Sequence, residues 1–352
     1  VFGDWSSDVC SSDLAGRDMM IKLDLYSDRP TWRSVPAALF SWGGAIRRFF
    51  YRTGLLRTKT LPARVISVGA LAVGGTGKTP TTIMIAGCLH ARNRRVAILS
   101  RGYKGRARAG VNVVSDGGKV WLGPREAGDE AFLMARALPG VPVLTGPDRY
   151  RTGKYAVDRF GAEFLVLDDG FQHLGLARDL NLLLLDAGNP WANGRLLPAG
   201  PLREPPRAAA RADAFLLTGS TERSGRPGKE LERMFPGRPV FQARHRPLRF
   251  VDLVDGRPLP LDILFGRRVL VFCGLARPRG FLDAIISLGA QVEFVVEWAD
   301  HFHPRARDIE GVNIQAQRLG IDLAATTAKD AVKLEGLSFP ALRVLVLEIE
   351  ME

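Results

Sequence analysis

Val65-Ile66-Ser67-Val68-Gly69, then Ala70 to Val73, then Gly74-Gly75-Thr76-Gly77-Lys78-Thr79-Pro80-Thr81: the rest of the chain can be ordered around this stretch. The β-branched apolar run has the character of a buried strand, and Thr81-Thr82-Ile83-Met84-Ile85-Ala86 that of a helix start. Between them lies a Gly-rich turn. Strand, Gly-Lys-Thr loop and helix make an anion cradle, in which glycines let backbone N–H groups close on phosphates. A lysine neutralises the outer phosphate charge, and a threonine hydroxyl can ligate Mg²⁺. Gly74, Gly75, Thr76, Gly77, Lys78, Thr79 and Pro80 are therefore the candidate phosphate-binding residues, with Thr79 on the metal side. The strict spacing has a glycine five positions before Gly77, where Ala72 stands, so the loop is a variant. A Gly-rich turn that binds nothing is the alternative, and the flanking strand and helix count against it.

A chain of 352 residues can bury at least one large core and suggests about two domains. Lysine and arginine outnumber aspartate and glutamate 49 to 37, a net charge of +12 that implies an anionic partner. Nucleic acid, an acidic membrane surface and a phosphorylated substrate all qualify. The three cysteines, Cys10, Cys88 and Cys273, have neither metal nor disulfide spacing, which points to a reducing compartment. No apolar run reaches the roughly 18 residues a spanning helix needs.

Val1 to about Asp18 fits nothing downstream. Trp5 to Leu14 half-repeats itself without helix or strand periodicity, and no basic start and apolar core mark a secretory signal. It reads as a non-native leader before a start near Met19 or Met20. From Val35 to about Thr53 the residues Val35, Leu39, Trp42, Ile46, Phe49 and Phe50 recur at helical spacing, with Arg47, Arg48 and Arg52 interleaved. Such a basic amphipathic helix suits either a membrane interface or the protein's own core with a solvated basic face. Gly43-Gly44 weakens it by roughly 1 kcal/mol per glycine.

Beyond the loop, strands are expected at Arg95–Ser100, Val141–Leu144, Phe164–Leu167, Asn181–Leu185 and Ala214–Thr218, and helices at Asp129–Ala137 and Arg149–Phe160. Apolar strands alternating with helices argue a parallel sheet covered on both faces, with ligands at the carboxyl ends of the strands. Around Arg244 to Pro260 the pattern turns extended. A second α/β unit follows, with strands at Val269–Phe272, Val292–Val296 and Ala324–Thr327 and helices at Gly280–Leu288 and Ala306–Leu319. Arg343–Ile349 is a closing strand able to pair with the linker.

Phe164-Leu165-Val166-Leu167 runs into Asp168-Asp169-Gly170, and an apolar strand ending in aspartate supplies the hard oxygens that Mg²⁺ wants beside phosphates. Phosphoryl transfer also needs a group to take the acceptor's proton. Asp129, Glu204 and His301 are candidates near strand ends. Asp129 could equally cap a helix. His301 and His303 alternate as strand residues would, and a zinc site lacks its remaining ligands.

The ordered set Gly74-Gly75-Thr76-Gly77-Lys78-Thr79-Pro80, Ser100-Arg101-Gly102-Tyr103, Gly128-Asp129-Glu130, Asp168-Asp169-Gly170-Phe171-Gln172-His173, Pro201-Leu202-Arg203-Glu204, Asp300-His301 and Thr326-Thr327 resembles the tetraacyldisaccharide 4′-kinases, the lipid A 4′-kinases of Gram-negative bacteria. The resemblance runs from roughly Trp32 to the last strand. It implies a P-loop NTPase-like parallel sheet core over 61–245 and a smaller C-terminal α/β domain with its linker strands over 246–352. Residues 19–60 then form a basic membrane-associated region. It further implies ATP and Mg²⁺ as cofactors, and phosphorylation of the 4′-hydroxyl of a tetraacyldisaccharide 1-phosphate to give lipid IVA. By motif, Lys78 and Thr79 serve nucleotide and metal, Asp168 and Asp169 sit at the metal with Glu204 close by, and Lys78 and Asp169 take part in catalysis. Asp129 activates the sugar hydroxyl, supported by His301. Val35–Thr53 would meet the inner leaflet, at the cytoplasmic face of the inner membrane. The family usually has Asn where Ala70 stands and Glu where Ala328 stands, both outside the residues just named.

A nucleotide-driven switch would share the Gly-Lys-Thr loop but has no need of Phe171-Gln172-His173 or of His301. A nucleic-acid-binding protein would use the charge, but the basic residues are spread or sit on an apolar-faced helix without an aromatic–basic module. No nucleic-acid partner is expected.

Overall fold

A computed structural model describes residues 34–107, 110–219 and 225–352. The leader Val1 to Asp18 and the start expected at Met19 or Met20 lie outside the described residues. The described residues begin with α1 (Ser34–Arg52) and then build a first sheet from β1 (Arg64–Ala70), α2 (Lys78–Ala91), β2 (Val96–Ser100), β3 (Asn112–Asp116), α3 (Pro124–Ala127) and α4 (Asp129–Ala137). It continues with β4 (Pro142–Thr145), α5 (Arg149–Phe160), β5 (Phe164–Asp168), β6 (Leu180–Asp186), β7 (Ala214–Thr218), α6 (Gly225–Met234) and β8 (Val240–Ala243). These eight strands lie in the order β3-β4-β2-β5-β1-β6-β7-β8. All neighbours are parallel except β3, which runs antiparallel to β4 at the edge.

The strands are apolar throughout because both faces are covered. Val68, Ile98 and Val166 pack on one side with Ala86 of α2 and Met134 of α4, while Val65, Leu99, Leu165 and Leu167 pack on the other with Ala156 of α5. Adjacent residues of one strand thus serve opposite layers, as period-two geometry requires.

A single residue, Arg244, separates β8 from β9 (His245–Asp252) of the second sheet. That sheet adds β10 (Pro258–Leu259), β11 (Arg268–Cys273), α7 (Arg279–Ser287), β12 (Gln291–Glu297), α8 (Ala306–Leu319), β13 (Leu323–Thr327), α9 (Ala328–Ala331) and β14 (Arg343–Met351). Its order is β10-β9-β14-β13-β11-β12. β9 pairs antiparallel with β14, as expected for the closing strand, and Arg249 lies opposite Glu348 and Arg246 opposite Glu350. Val269, Val271, Leu345 and Leu347 bury against Phe281 and Ile285 of α7, whereas Leu270, Phe272 and Val344 bury against Ile309 and Val312 of α8.

Several expectations need correction. The first sheet is mostly rather than wholly parallel, because β3, separated from β4 by α3 and α4, runs antiparallel to it at the edge. α2 begins at Lys78 rather than Thr81: the first-turn N–H groups of a helix have no internal partner, so Pro80 costs nothing there. His301 and His303 are not strand residues. They follow β12 in a loop, where His301 has a left-handed backbone (φ 61).

Candidate active site

The loop after β1 leaves the carboxyl edge of the first sheet and is held along one side. Val73 N–H donates to Pro201 O (2.8 Å) and Arg203 N–H to Leu71 O (2.7 Å), pairing the loop with the Pro201–Arg203 segment. Gly77 caps α2 with φ 76, and a Cβ there would stand 3.3 Å from His245 Nε2 and 3.7 Å from Met351 Cε. The second sheet therefore borders the loop directly. Gly74 (φ 104) also needs the left-handed region. Lys78 and Thr79 open the helix, where backbone N–H groups and the helix dipole favour an anion. Thr218 at the end of β7 donates from Oγ1 to Thr76 O (3.2 Å), fixing the loop's far side.

β5 delivers Asp168 beside Val68 of β1, next to the loop. Asp168 is buried, with Oδ2 accepting from Ser100 Oγ (3.1 Å). Burial, then the nearby charges of Glu130 and Asp169, push its pKa up to about 7. Asp169 turns away with φ 53. Its Oδ2 accepts from Arg203 Nη1 (2.6 Å), and Lys78 Nζ lies 3.9 Å from Oδ1. Burial alone would raise the Asp169 pKa, but Lys78 and Arg203 outweigh it and hold the carboxyl below the usual range.

Oδ1 of Asp168 and Oδ1 of Asp169 are both buried without a hydrogen-bond partner. Two orphaned carboxylate oxygens beside a Gly-Lys-Thr loop suit a hard dication. Among the described residues, no group of three or more His, Cys, Asp or Glu side chains could hold a metal alone. Mg²⁺ is commonly bound by one or two carboxylates together with substrate phosphates. Glu204 is placed differently from the aspartates. Its two oxygens are taken by Arg211 (2.8 and 2.9 Å) and by Arg48 of α1 (3.2 Å), and no contact joins it to Asp168 or Asp169.

α4 begins at Asp129, which is 5% exposed. Gly128 precedes it with φ 87, and a Cβ there would strike Tyr103 O at 2.5 Å. Asp129 caps nothing. Its Oδ2 faces His301 Nδ1 at 3.4 Å and Lys333 Nζ at 3.8 Å, and its Oδ1 faces His303 Nε2 at 3.7 Å. Three basic groups from the second sheet thus converge on one carboxylate of the first. Burial works to raise the Asp129 pKa, but the His301 hydrogen bond and the charges of Lys333 and His303 bring it below the usual value. Tyr103 packs its ring edge-on to His301 at 5.4 Å. Lys329 Nζ holds Asp300 (2.6 Å), whose other oxygen lies 3.9 Å from His301 Nε2.

The structure therefore brings Lys78, Asp168 and Asp169 to one cluster and Asp129 and His301 to another, with Glu130 on α4 within electrostatic reach of Asp168. Sequence reasoning passed over three charged residues. Arg149 is 3% exposed at the start of α5, where burial lowers its pKa to about 10 although Asp168 and Asp169 act to raise it. Arg203 was visible as part of Pro201-Leu202-Arg203-Glu204, but its grip on Asp169 was not. Lys333 belongs to no quoted motif, and only the fold reveals it.

On α1, Trp42 is 73% exposed and Phe49 58%, with Ile46 also exposed, so this apolar side is not covered by the protein's core. The side chains of Val35 and Leu39 lie outside the described ones. Among the described residues no helix is long and apolar enough to cross a membrane.

The family model for tetraacyldisaccharide-1-P 4′-kinase matches residues 32–352. A tetraacyldisaccharide 4′-kinase of Syntrophus aciditrophicus (strain SB) is 43% identical over 319 residues, covering 88% of this chain and 85% of that protein. One of Anaeromyxobacter dehalogenans (strain 2CP-C) is 45% identical over 325 residues, covering 90% and 84%. A crystal structure of LpxK from Aquifex aeolicus in complex with ATP has a TM-score of 0.72 to this chain at 36% identity, covering 90% of this chain and 93% of that one.

Proposed function

Because the chain belongs to the tetraacyldisaccharide 4′-kinase family, we propose how its residues divide the phosphoryl transfer between two clusters. The protein is a tetraacyldisaccharide 4′-kinase of lipid A biosynthesis and binds ATP. In the proposed donor half, the N–H groups of Gly74–Thr79 and the Lys78 ammonium take the phosphates of ATP. Thr79, Asp168 and Asp169 would hold Mg²⁺, which when bound offsets charge on the phosphate oxygens. Arg203 keeps Asp169 aimed, and Glu204 serves as the carboxylate that ties α1 to this edge through Arg48.

In the acceptor half, Asp129 accepts the proton of the substrate's 4′-hydroxyl as that oxygen bonds to the γ-phosphorus. The bond from the γ-phosphorus to the bridging oxygen breaks, and ADP leaves. His301 orients Asp129 and shares the arriving proton's charge. The observation that carries this reading is the convergence of His301, His303 and Lys333 on a buried Asp129, whose neighbour Glu130 is within electrostatic reach of Asp168. A nucleotide switch would need no such acceptor cluster.

The exposed Trp42, Ile46 and Phe49 of α1, interleaved with arginines, support peripheral contact with an anionic membrane surface, where an acylated substrate resides. The two sheets would then be two lobes meeting at Arg244, a kinase core and a smaller partner that brings His301. Incubating the purified protein with Mg²⁺, ATP and the tetraacyldisaccharide 1-phosphate should yield the 4′-phosphorylated lipid. ATP hydrolysis without lipid, and no lipid product, would favour the switch instead.

A further inference from the structure

Lys333 is a buried charge that faces Asp129 but takes no step in the scheme above. It follows α9, its side chain is 1% exposed, and its Nζ lies 2.9 Å from Asp330 Oδ1 and 3.8 Å from Asp129 Oδ2. Asp330 is itself immobilised: its Oδ2 accepts from Gly274 N–H (2.9 Å) and Thr327 Oγ1 (2.8 Å). Val332, the neighbouring residue, packs in the same apolar cluster as Met134 and Ala135 of α4. The turn that carries Lys333 is thus docked against the helix that begins at Asp129. Burying an ammonium is costly unless carboxylates compensate it. Asp330 alone would do so, yet the ammonium is also within Coulombic reach of Asp129.

We propose that Lys333 is a positioning residue for the phosphoryl transfer: anchored on Asp330, its ammonium fixes the place and the counter-charge of the Asp129 carboxylate. The site's base is then complete only while the Thr327–Lys333 turn is docked on α4. This rests on the reading of Asp129 as the group that activates the hydroxyl. Other groups face Asp129 or lie near it: His301 and His303 from the loop after β12 with Asp300 behind them, Asp330 beneath Lys333, and Glu130 on α4 itself. Arg125 and Lys104 lie beyond His303. An ammonium is a compact point charge, and this one is held in place by Asp330.

The test is steady-state lipid-kinase kinetics on the whole protein carrying Lys333→Met, Lys333→Arg, Asp129→Asn, or Lys333→Met with Asp129→Asn. Lys333→Met should lower kcat about ten- to a hundred-fold with the KM for ATP unchanged, the scale for a misplaced catalytic group. The acid limb of its pH profile should move to higher pH, because Asp129 loses a stabilising cation. Lys333→Arg should recover much of the rate. In the Asp129→Asn background, Lys333→Met should cost little more, since the partner it serves is gone. A kcat within about two-fold of the parent, an unmoved acid limb, or an undiminished further loss in that background would overturn the proposal. Full turnover by Asp129→Asn would instead remove the reading beneath it. Lys333→Gln is held to the same criteria should Lys333→Met not fold.

Discussion

Asp129 is nearly inaccessible and yet held in its ionised form, a combination that a buried carboxylate achieves only with several cations around it. Asp129→Asn preserves the shape and removes the proton acceptor. Turnover should fall at least ~100-fold while nucleotide affinity, measured by isothermal titration, stays as it was. Asp168 presents the opposite case. With its pKa raised from 3.8 to about 7, it carries a proton in the metal-free protein through most of the acidic range. That proton contributes stability that is present below pH 3.8 and is lost as the pH rises through about 7. Binding of Mg²⁺ and ATP should expel it, so affinity should rise with pH up to about 7 and level off beyond. Calorimetry in buffers of different ionisation enthalpy should register about one proton released per site at about pH 6. At this scale the sequence was informative where motifs were dense. Asp168 and Asp169 announce themselves at the end of an apolar strand. The separation of 172 positions from Asp129 to His301 hides their contact, and Lys333 and Arg149 are ordinary surface types whose burial only packing decides.

β1 and the Phe171 turn illustrate how an element is fixed by close approach. A Cβ on Gly69 would lie 2.6 Å from Phe171 Cβ and 2.7 Å from its backbone N, and neither can retreat, because Phe171 is fully buried and Gly170 N–H bonds Val68 O at 3.0 Å. Gly69→Ala should therefore destabilise the protein by about 2 kcal/mol or more, read as a lowered denaturation midpoint at unchanged slope. α1 works by exposure instead. Replacing Trp42, Ile46 and Phe49 together with Ser should abolish most flotation with anionic liposomes while the thermal midpoint stays within a few degrees; flotation at the parental level would move the membrane contact elsewhere. Periodicity located α8 and β7 to the residue, since each has one period and clean ends. It missed β3, β10 and α9, which are short, and misjudged the start of α2, where proline is harmless in the first turn. Amphipathicity alone left the two faces of α1 undecided, and the exposure of Trp42 and Phe49 decides which side the core leaves open.

For the whole molecule, an α/β chain with a nucleotide loop was legible from the alternation of strands and helices. The docking of the second sheet on the first was not, because its contacts are scattered: Gly77 beside His245 and Met351, Asp129 beside His301, and Arg277 paired with Asp186 at the end of β6. Along most of the ladder between β9 and β14, arginine faces glutamate, Arg246 and Arg249 against Glu350 and Glu348 with Arg244 and Glu352 just beyond the strands, and only at the far end does the sense reverse, Asp252 against Arg343. Exposed pairs of this kind contribute about 0–1 kcal/mol each, so stability is a poor account of them. Reversing Glu348 and Glu350 to Lys should lower soluble yield on refolding far more than it lowers the midpoint of what does fold, and changing Arg246 and Arg249 to Glu in the same protein should restore it. The order of synthesis suggests why. β9 leaves the ribosome long before its partner: Arg343 of β14, bonded to Asp252 at the end of β9, comes 91 residues later. During that wait β10 can cover one edge of β9 while the other, which β14 will take, is bare and open to β9 of another nascent chain. Two copies laid antiparallel with Arg246 opposite Arg249 would set arginine against arginine, which disfavours that pairing. That edge stays open until the glutamates arrive, and the arginines that will pair with them are the charges that hold two such edges apart meanwhile.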